Sequence, residues 1–111
     1  MDIIENNLNI AEFMDVQVGT YTTEHGLKIT YRPDKYWEVL MPVVVKMVTM
    51  YHSQCLFEHP GYTNINEKWK FHFEALSDCK CRCDGEGETM LEATYKAVCE
   101  FVKWYKKNKG V

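Results

Sequence analysis

The apolar residues of three segments recur with the spacing of an amphipathic α-helix. The segments are residues 3–14, 34–54 and 89–110, and the last is the clearest because Thr89 precedes Glu92 by three positions, as in a capping box. The apolar faces predicted for the three helices are, in chain order, Ile3, Ile4, Leu8, Ala11 and Met14; Trp37, Leu40, Met41, Val44, Val48 and Tyr51; and Leu91, Tyr95, Val98, Phe101, Val102 and Tyr105.

Pro42 interrupts the second helical pattern. Proline lacks a backbone N–H and crowds the preceding turn of a helix. Two arrangements are open. Either the helix kinks at Pro42, or residues 34–40 form a lead-in turn and the regular helix begins near Pro42.

Residues 16–33 have the pattern of a β-hairpin. Leu27, Ile29 and Tyr31 alternate with polar residues, as expected for a strand with one buried face. The turn is predicted at residues 24–26, which end in a glycine that can adopt a positive φ.

A longer alternation runs over residues 67–83, where the odd positions carry aromatic residues and then cysteines. An unbroken strand of this length would be unusual, so we predict a turn near residues 76–78 and a second strand at residues 80–83. Residues 55–66 carry Pro-Gly and Asn turn signals and are interpreted as a loop, with a short strand at residues 55–57 as an alternative.

These elements give the order α-β-β-α-β-β-α in a single domain, residues 1–111. Strands with one polar face indicate an antiparallel or mixed sheet. Three amphipathic helices do not easily share one face of a small sheet. We therefore predict an α+β fold, an α/β/α sandwich in which a small sheet carries helices on both faces.

Composition and charge narrow the function classes. The 111 residues are 46% hydrophobic, enough for a core without metal or disulfides, and their net charge of −3 argues against nucleic acid or an anionic membrane as a partner. Residues 1–27 contain acidic side chains but no Lys or Arg, whereas lysines cluster at residues 103–109. Because the N-terminus lacks the basic and apolar regions of a signal peptide, we expect a cytoplasmic protein.

Cys79, Cys81 and Cys83 form the one cluster that suggests metal or redox chemistry. Zinc sites use four ligands, usually in Cys-x-x-Cys pairs. Side chains at alternate positions of a strand lie about 7 Å apart and do not converge on one ion. We interpret the three cysteines as small apolar residues that continue the buried face of a strand. The alternative is a metal or thiol site in which His72 supplies a further ligand.

Four basic residues are predicted on the polar face of the last two strands: Lys68, Lys70, Lys80 and Arg82. A basic sheet face can bind phosphates, but sheets that bind RNA expose aromatic residues on that same face. Here the aromatic residues lie on the opposite face. Weak nucleic-acid binding is therefore a second alternative.

No spacing in the sequence matches a catalytic motif. The acidic residues near the last helix suit the positive end of its dipole, and the glycines at residues 85–87 are interpreted as a turn. We predict no enzymatic activity and no cofactor. Three aromatic residues near helix ends exceed what a helix readily buries and are predicted to bind a protein partner or a second copy of the chain: Trp37, Trp104 and Tyr105.

Two helical segments resemble a known family. LMPVVVK (residues 40–46), preceded by Trp37, and LEATYKAVCEFVKWY (residues 91–105) resemble the paired helix motifs of the phage α-β-α sandwich domain proteins. These are short hypothetical proteins of phages and prophages of Bacteroides and relatives, and NIAEFM (residues 9–14) resembles their start. The resemblance implies the sandwich fold and a mobile-element origin in a bacterial cytoplasm. It implies no catalytic residue, so we expect an accessory protein that binds a host or phage protein.

Overall fold

The computed structural model describes residues 3–16, 20–22, 26, 28–51, 53–58, 68–75 and 82–108. These ranges form a small α+β protein with three helices and antiparallel β-structure, which confirms the predicted class. In chain order the elements are α1 (Ile3–Met14), β1 (Thr20–Thr22), β2 (Lys28–Thr30), α2 (Trp37–Tyr51), β3 (Ser53–Glu58), β4 (Trp69–Ala75), β5 (Arg82–Gly87) and α3 (Met90–Asn108).

β1 and β2 form the predicted hairpin. The two strands pair antiparallel, with Thr20 opposite Thr30 and Thr22 opposite Lys28. Between them Gly26 has a φ of 84°, in a region that residues with a Cβ rarely adopt. The glycine therefore has the conformational role in the turn that the sequence predicts.

The other three strands form an antiparallel sheet in the order β3-β4-β5. Cys55 of β3 lies opposite Phe73 of β4, and Phe73 lies opposite Cys83 of β5. The observed order of elements differs from the predicted one, because residues 53–58 are a full strand rather than part of a loop. The backbone N–H and C=O groups of this segment form hydrogen bonds with β4. Turn signals within residues 55–66 do not predict this pairing, because the partner strand lies elsewhere in the chain.

Where β4 and β5 pair, one face of the sheet is covered by α3 and the other is polar. Phe71, Phe73 and Cys83 are buried on the covered face. The alternate positions include Glu74 and Arg82, which are exposed. The predicted layering, with helices on both faces of the sheet, is not confirmed. The charged side chains on the polar face allow that face to be exposed to water.

β5 extends through the glycines that were interpreted as a turn, so that interpretation is wrong. Gly85 lies against α3. A Cβ at this position would be 1.9 Å from the carbonyl oxygen of Ala93 and 2.7 Å from the backbone nitrogen of Ala97. Glycine in a strand marks such a close backbone approach, which here brings the helix down onto the sheet.

The buried faces of α1 and α2 are rotated from the predicted ones. In α1, Asn7 is buried, whereas Ile4 and Leu8 are 76% and 49% exposed. In α2, Met41 was assigned to the buried face and is exposed. A helix that is rich in apolar residues has more than one face that could be buried. Contacts with the rest of the protein decide which of these faces is buried. The buried residues of α2 are Val39, Leu40, Val43, Val44 and Met47.

The two predicted helix starts have different outcomes. α3 is capped as predicted, because the Oγ1 of Thr89 accepts a hydrogen bond from the N–H of Glu92 at 3.1 Å. α2 begins at Trp37 and continues through Pro42, so the alternative of a helix that starts near the proline is wrong. Pro42 is half-buried on the outer side of α2, where water can hydrate the carbonyl that lacks an N–H partner.

Candidate functional site

The cysteine triplet contributes one described residue, since Cys79 and Cys81 lie outside the described ranges. Cys83 is 1% exposed and belongs to the core. His72 pairs with Asp84, the neighbour of Cys83, so that His72 and Cys83 lie on opposite faces of the sheet. These two residues cannot bind the same ion, and among the described residues no group of three His, Cys, Asp or Glu could hold a metal.

The basic residues of the polar sheet face stand beside acidic ones. Neighbouring carboxylates compensate their charge and reduce the attraction that a phosphate backbone would feel. Lys80 lies outside the described ranges. The other three are Lys68, with its Nζ 3.7 Å from Glu88; Lys70, opposite Glu86 in the strand register; and Arg82, with its Nε 3.5 Å from Asp84.

His72 and Asp84 form the most suggestive titratable pair on this face. The Nδ1 of His72 contacts the Oδ1 of Asp84 across the two strands. A carboxylate that orients an imidazole is part of many hydrolytic sites, which also need a nucleophile beside the imidazole. The other described positions on this face of β4 and β5 carry only Lys, Glu and Arg. The pair is a contact across the two strands at the position where His72 lies opposite Asp84 in the register.

A polar network joins α1, the turn before α2, and α3. Asp34 accepts two hydrogen bonds from the guanidinium of Arg32, at 2.9 and 2.8 Å, and one from the Nδ2 of Asn7 at 2.9 Å. The hydroxyl of Tyr95 donates to the Oδ1 of Asn7 at 2.8 Å. Hydrogen bonding by Arg32 holds the pKa of Asp34 below its usual value. This network explains why Asn7 replaces an apolar residue on the buried face of α1.

Two titratable side chains of α3 are buried at the end of this network. Burial raises the pKa of the Tyr95 hydroxyl above its usual range. Burial also raises the pKa of the Cys99 thiol to about 11. A thiol with that pKa is almost entirely protonated at neutral pH, and the thiolate is the nucleophilic form. Cys99 is therefore a packing residue and not a reactive one.

The three aromatic residues predicted to bind a partner are half-buried against the core. The ring of Trp104 lies 5.9 Å from that of Phe101. Tyr105 places its ring 5.0 Å from Phe13, edge to face. Trp37 packs on the core at the start of α2. Tyr105 thus joins α3 to α1, and Trp104 packs against Phe101 within α3.

A small cavity lies between α1 and the C-terminal half of α3. Its volume is about 30 Å³, which is room for little more than a water molecule. A substrate or cofactor would not fit. The lining residues are Asn9, Glu12, Phe13, Val102, Tyr105 and Lys106.

The outer face of α2, formed by Trp37, Met41 and Val45, carries apolar side chains on a helix that has little charge. Val45 is 58% exposed and Met41 is 38% exposed, while Trp37 is half-buried at the same spacing of four residues. Residues four apart lie side by side along a helix, so the three form one apolar strip. Exposed Glu38 borders this strip.

The unusual composition of α2 is visible in the sequence. Among its 15 residues only Glu38 and Lys46 are charged, and Lys46 is half-buried beside the ring and carbonyl of Phe13. A helix that is apolar all round is normally covered on all sides. The periodic pattern predicted one apolar face on α2 and missed the second one, although the scarcity of charge signalled it.

The outer side of α1 is apolar and acidic together. Ile4 and Leu8 are exposed one turn apart, next to the exposed acidic residues Glu5 and Glu12. The carboxylate of Glu12 lies 3.5 Å from the Nζ of Lys106, which also bonds to α1 through an asparagine. This surface is thus more strongly charged than the outer face of α2.

Within the part of the chain that the structure describes, no helix has both the length and the apolar content needed to cross a membrane. Comparisons with protein-family models, with curated proteins and with solved structures found no match to this chain. The outer face of α2 is therefore considered for what its own residues can bind.

Proposed function

We propose that this chain is a non-enzymatic protein-binding module that receives its partner on the outer face of α2. The observation that carries the proposal is the exposure of Met41 and Val45 on a helix that has only two charged residues. Contiguous apolar surface on a small protein is typical of an interaction site. The resemblance to phage sandwich domain proteins supports an accessory role in a phage or prophage.

The partner surface proposed here differs from the one expected from aromatic residues alone. Trp104 and Tyr105 are engaged by Phe101 and Phe13, so the proposal assigns them to packing. Trp37 keeps its proposed role because it continues the strip of Met41 and Val45 along α2. A partner helix laid along this strip would bury side chains spaced four residues apart, as in helix-in-groove recognition.

Site-specific photo-cross-linking in cells tests the proposal. A photo-reactive amino acid at Val45 should give covalent adducts of higher mass. The same residue at Glu100, which is exposed on α3, is the matched control and should give few adducts. Equal adduct patterns from the two positions, or no adducts from Val45, would overturn the proposed surface.

A second measurement excludes unfolding as the cause of adducts. Both substituted proteins should keep the far-UV circular dichroism and the melting temperature of the original chain, because both positions are on the surface. Adduct formation from Val45 should also fall when Met41 is replaced by Lys, which places a charge in the apolar strip. Adducts that are insensitive to Met41→Lys would contradict a binding site centred on this strip.

A further inference from the structure

We propose that α1 is a detachable cover of α3: it separates as a unit while α3 and the sheet stay folded, and its departure exposes an aromatic surface of α3. This inference concerns a motion of the chain and does not depend on the outer face of α2. The juxtaposition that carries it is a helix that buries two asparagines while it leaves an isoleucine and a leucine largely in water.

The face that α1 presents to the core is only partly apolar. Ile10 and Phe13 are buried there, but so are Asn6 and Asn7. The Nδ2 of Asn6 is buried and forms no hydrogen bond with any described residue. A buried donor without an acceptor has lost the hydrogen bond that water would supply, so this side chain opposes the closed arrangement. Separation of α1 restores that hydrogen bond.

The larger aliphatic residues of α1 contribute little to its docking. Ile4 and Leu8 lie outside the contact with the core, at 76% and 49% exposure. Hydrophobic stabilisation grows with the apolar area that is removed from water, and most of the area of these two side chains stays in water. The apolar docking of α1 therefore depends on Ile10, Ala11 and Phe13.

Two lysines hold the C-terminal half of α1 through polar contacts. The Nζ of Lys106 lies 3.0 Å from the Oδ1 of Asn9 and 3.5 Å from a carboxylate oxygen of Glu12. Both of these contacts are exposed. Lys46 of α2 donates to the carbonyl oxygen of Phe13. Water replaces exposed contacts when they break, so those of Lys106 add little to the closed form.

One buried contact opposes the separation more strongly. Asn7 donates to Asp34 and accepts from Tyr95, at 2.9 and 2.8 Å, and the Tyr95 bond is buried. These bonds are exchanged for bonds to water when α1 leaves. The open form is therefore a minor population in equilibrium with the closed one, as is usual for local opening of a native protein.

α3 cannot separate in the same way. α1 packs chiefly on α3, whereas α3 also packs on β4 and β5. At Gly85 the backbone of α3 lies against the strand with no room for a side chain. Separation of α1 leaves that contact intact, so it costs less than unfolding of the whole protein.

The open form exposes parts of two aromatic rings. Phe13 lies edge to face on Phe101 and Tyr105 of α3, at 5.6 and 5.0 Å between ring centroids. Val102 lines the small cavity between the same two helices. Without α1 these side chains form an apolar surface that the closed chain does not offer. A ligand of that surface would select the open form and increase its population.

Native-state hydrogen exchange of the whole chain at low urea concentrations tests the motion. The backbone amides of residues 10–14 should share one opening and exchange at least about tenfold faster than the buried amides of α3. Their exchange should also depend less on urea, because a local opening exposes less surface than global unfolding. Equal exchange in the two helices at every urea concentration would overturn the proposal.

Asn6→Leu tests the role of the buried amide. Leucine keeps the branched shape of the side chain and removes the donor without an acceptor, so exchange in α1 should slow by about fivefold. Leu8→Asn is the matched control. It makes the reverse change at a half-exposed position and alters helix propensity by the same amount in the opposite direction. Effects of equal size and opposite sign would assign the change to propensity and contradict the proposal.

Thiol labelling tests whether α1 leaves the surface of α3. Val102→Cys places a thiol at a position that is 2% exposed beside α1. Cys83, which is 1% exposed between β5 and α3, is the internal control. The thiol introduced at position 102 should be labelled at least about tenfold faster than Cys83, at a rate that follows the exchange of the α1 amides. Equal labelling rates would show that the two sites open only together and would overturn the proposal.

Discussion

Two regions of this protein differ strongly in packing. One is the contact of α3 with β5, and the other is the outer face of α2. At Gly85 the backbone of α3 approaches so closely that there is no space for one added carbon. On α2, Val45 leaves more than half of its surface in water. α3 carries its charged residues on the side away from the core, whereas α2 has only two charged residues and leaves part of its apolar surface exposed. The difference lies in the partner: α3 has the sheet inside the same chain, and the outer face of α2 has none among the described residues.

The largest expected effect is the loss of Phe101, at the centre of the packed region. Its ring is fully buried and contacts Phe13 and Phe73 edge to face, at 5.6 and 5.2 Å. Phe101→Ala should lower the free energy of unfolding by about 3–5 kcal/mol, because it leaves a cavity between the helices and the sheet. Urea denaturation measures the change. Phe101→Leu is the control and should cost clearly less; equal losses would indicate that the site collapses around the smaller residue.

Gly85→Ala tests the close approach of α3 to β5 directly. The added methyl group meets backbone atoms of α3, which cannot rotate away, so the helix must move. We expect a loss of about 3 kcal/mol, at the upper end of the range for overpacking. Thermal unfolding measures it. At Gly87 a Cβ would lie 2.7–2.9 Å from three side-chain atoms of Glu92, including its Cβ, so Gly87→Ala should also destabilise the protein, but less than Gly85→Ala because the nearest atoms are not backbone. Similar losses would contradict the close contact at Gly85.

Asp34→Asn tests whether the polar network holds α1 and the turn before α2 in place. Removal of the carboxylate should cost about 1–2 kcal/mol, because the charged hydrogen bonds to Arg32 are lost, although Arg32 is one-third exposed and partly screened. Urea denaturation at pH 7 measures this difference.

The same variant has a pH dependence of known sign. The folded protein lowers the pKa of Asp34, so its contribution to stability is present above the ordinary value of 3.8 and is lost as pH falls through the lowered folded value. The stability difference between the original chain and Asp34→Asn should therefore shrink below about pH 4. A difference that is constant from pH 7 to pH 3 would contradict a role for the ionised carboxylate.

Val45→Ala should have the smallest effect on the isolated chain. An exposed substitution of this kind usually changes the free energy of unfolding by less than about 0.5 kcal/mol. At low micromolar concentration its melting temperature should equal that of the original chain. A large destabilisation would place Val45 in the core and remove the contrast between α2 and α3 on which the proposed function depends.

Local periodicity predicted the elements that carry their own signals. The three helices, the hairpin at Gly26, and the strand around Phe71 and Phe73 follow from residues near one another in the chain. Thr89 predicted the start of α3 in the same way, since a cap acts within one turn. Such features depend on interactions between residues that are close together in the sequence, so they can be predicted without knowledge of the fold.

The candidate site was predicted less well than the fold. Of the proposed strip, the sequence singled out Trp37 as a partner-binding residue, which stays a prediction, whereas Met41 was assigned to the buried face and Val45 was not singled out. An apolar helix offers several faces, and the periodic pattern alone does not select the one that meets the sheet. Burial of Asn7 likewise required its distant partners Asp34 and Tyr95, which lie 27 and 88 residues away.

The sequence by itself determined the class of the protein, its three helices, the alternating strand, and a second helix with too little charge for a solvated surface. Tertiary structure alone decided the strand at residues 53–58, the use of Gly85 as a contact, and the rotation of α1 and α2. The physical reason is the range of the interactions. Helical period and capping act within a turn of chain, whereas strand pairing, close backbone approach and the choice of a buried face depend on residues that only folding brings together.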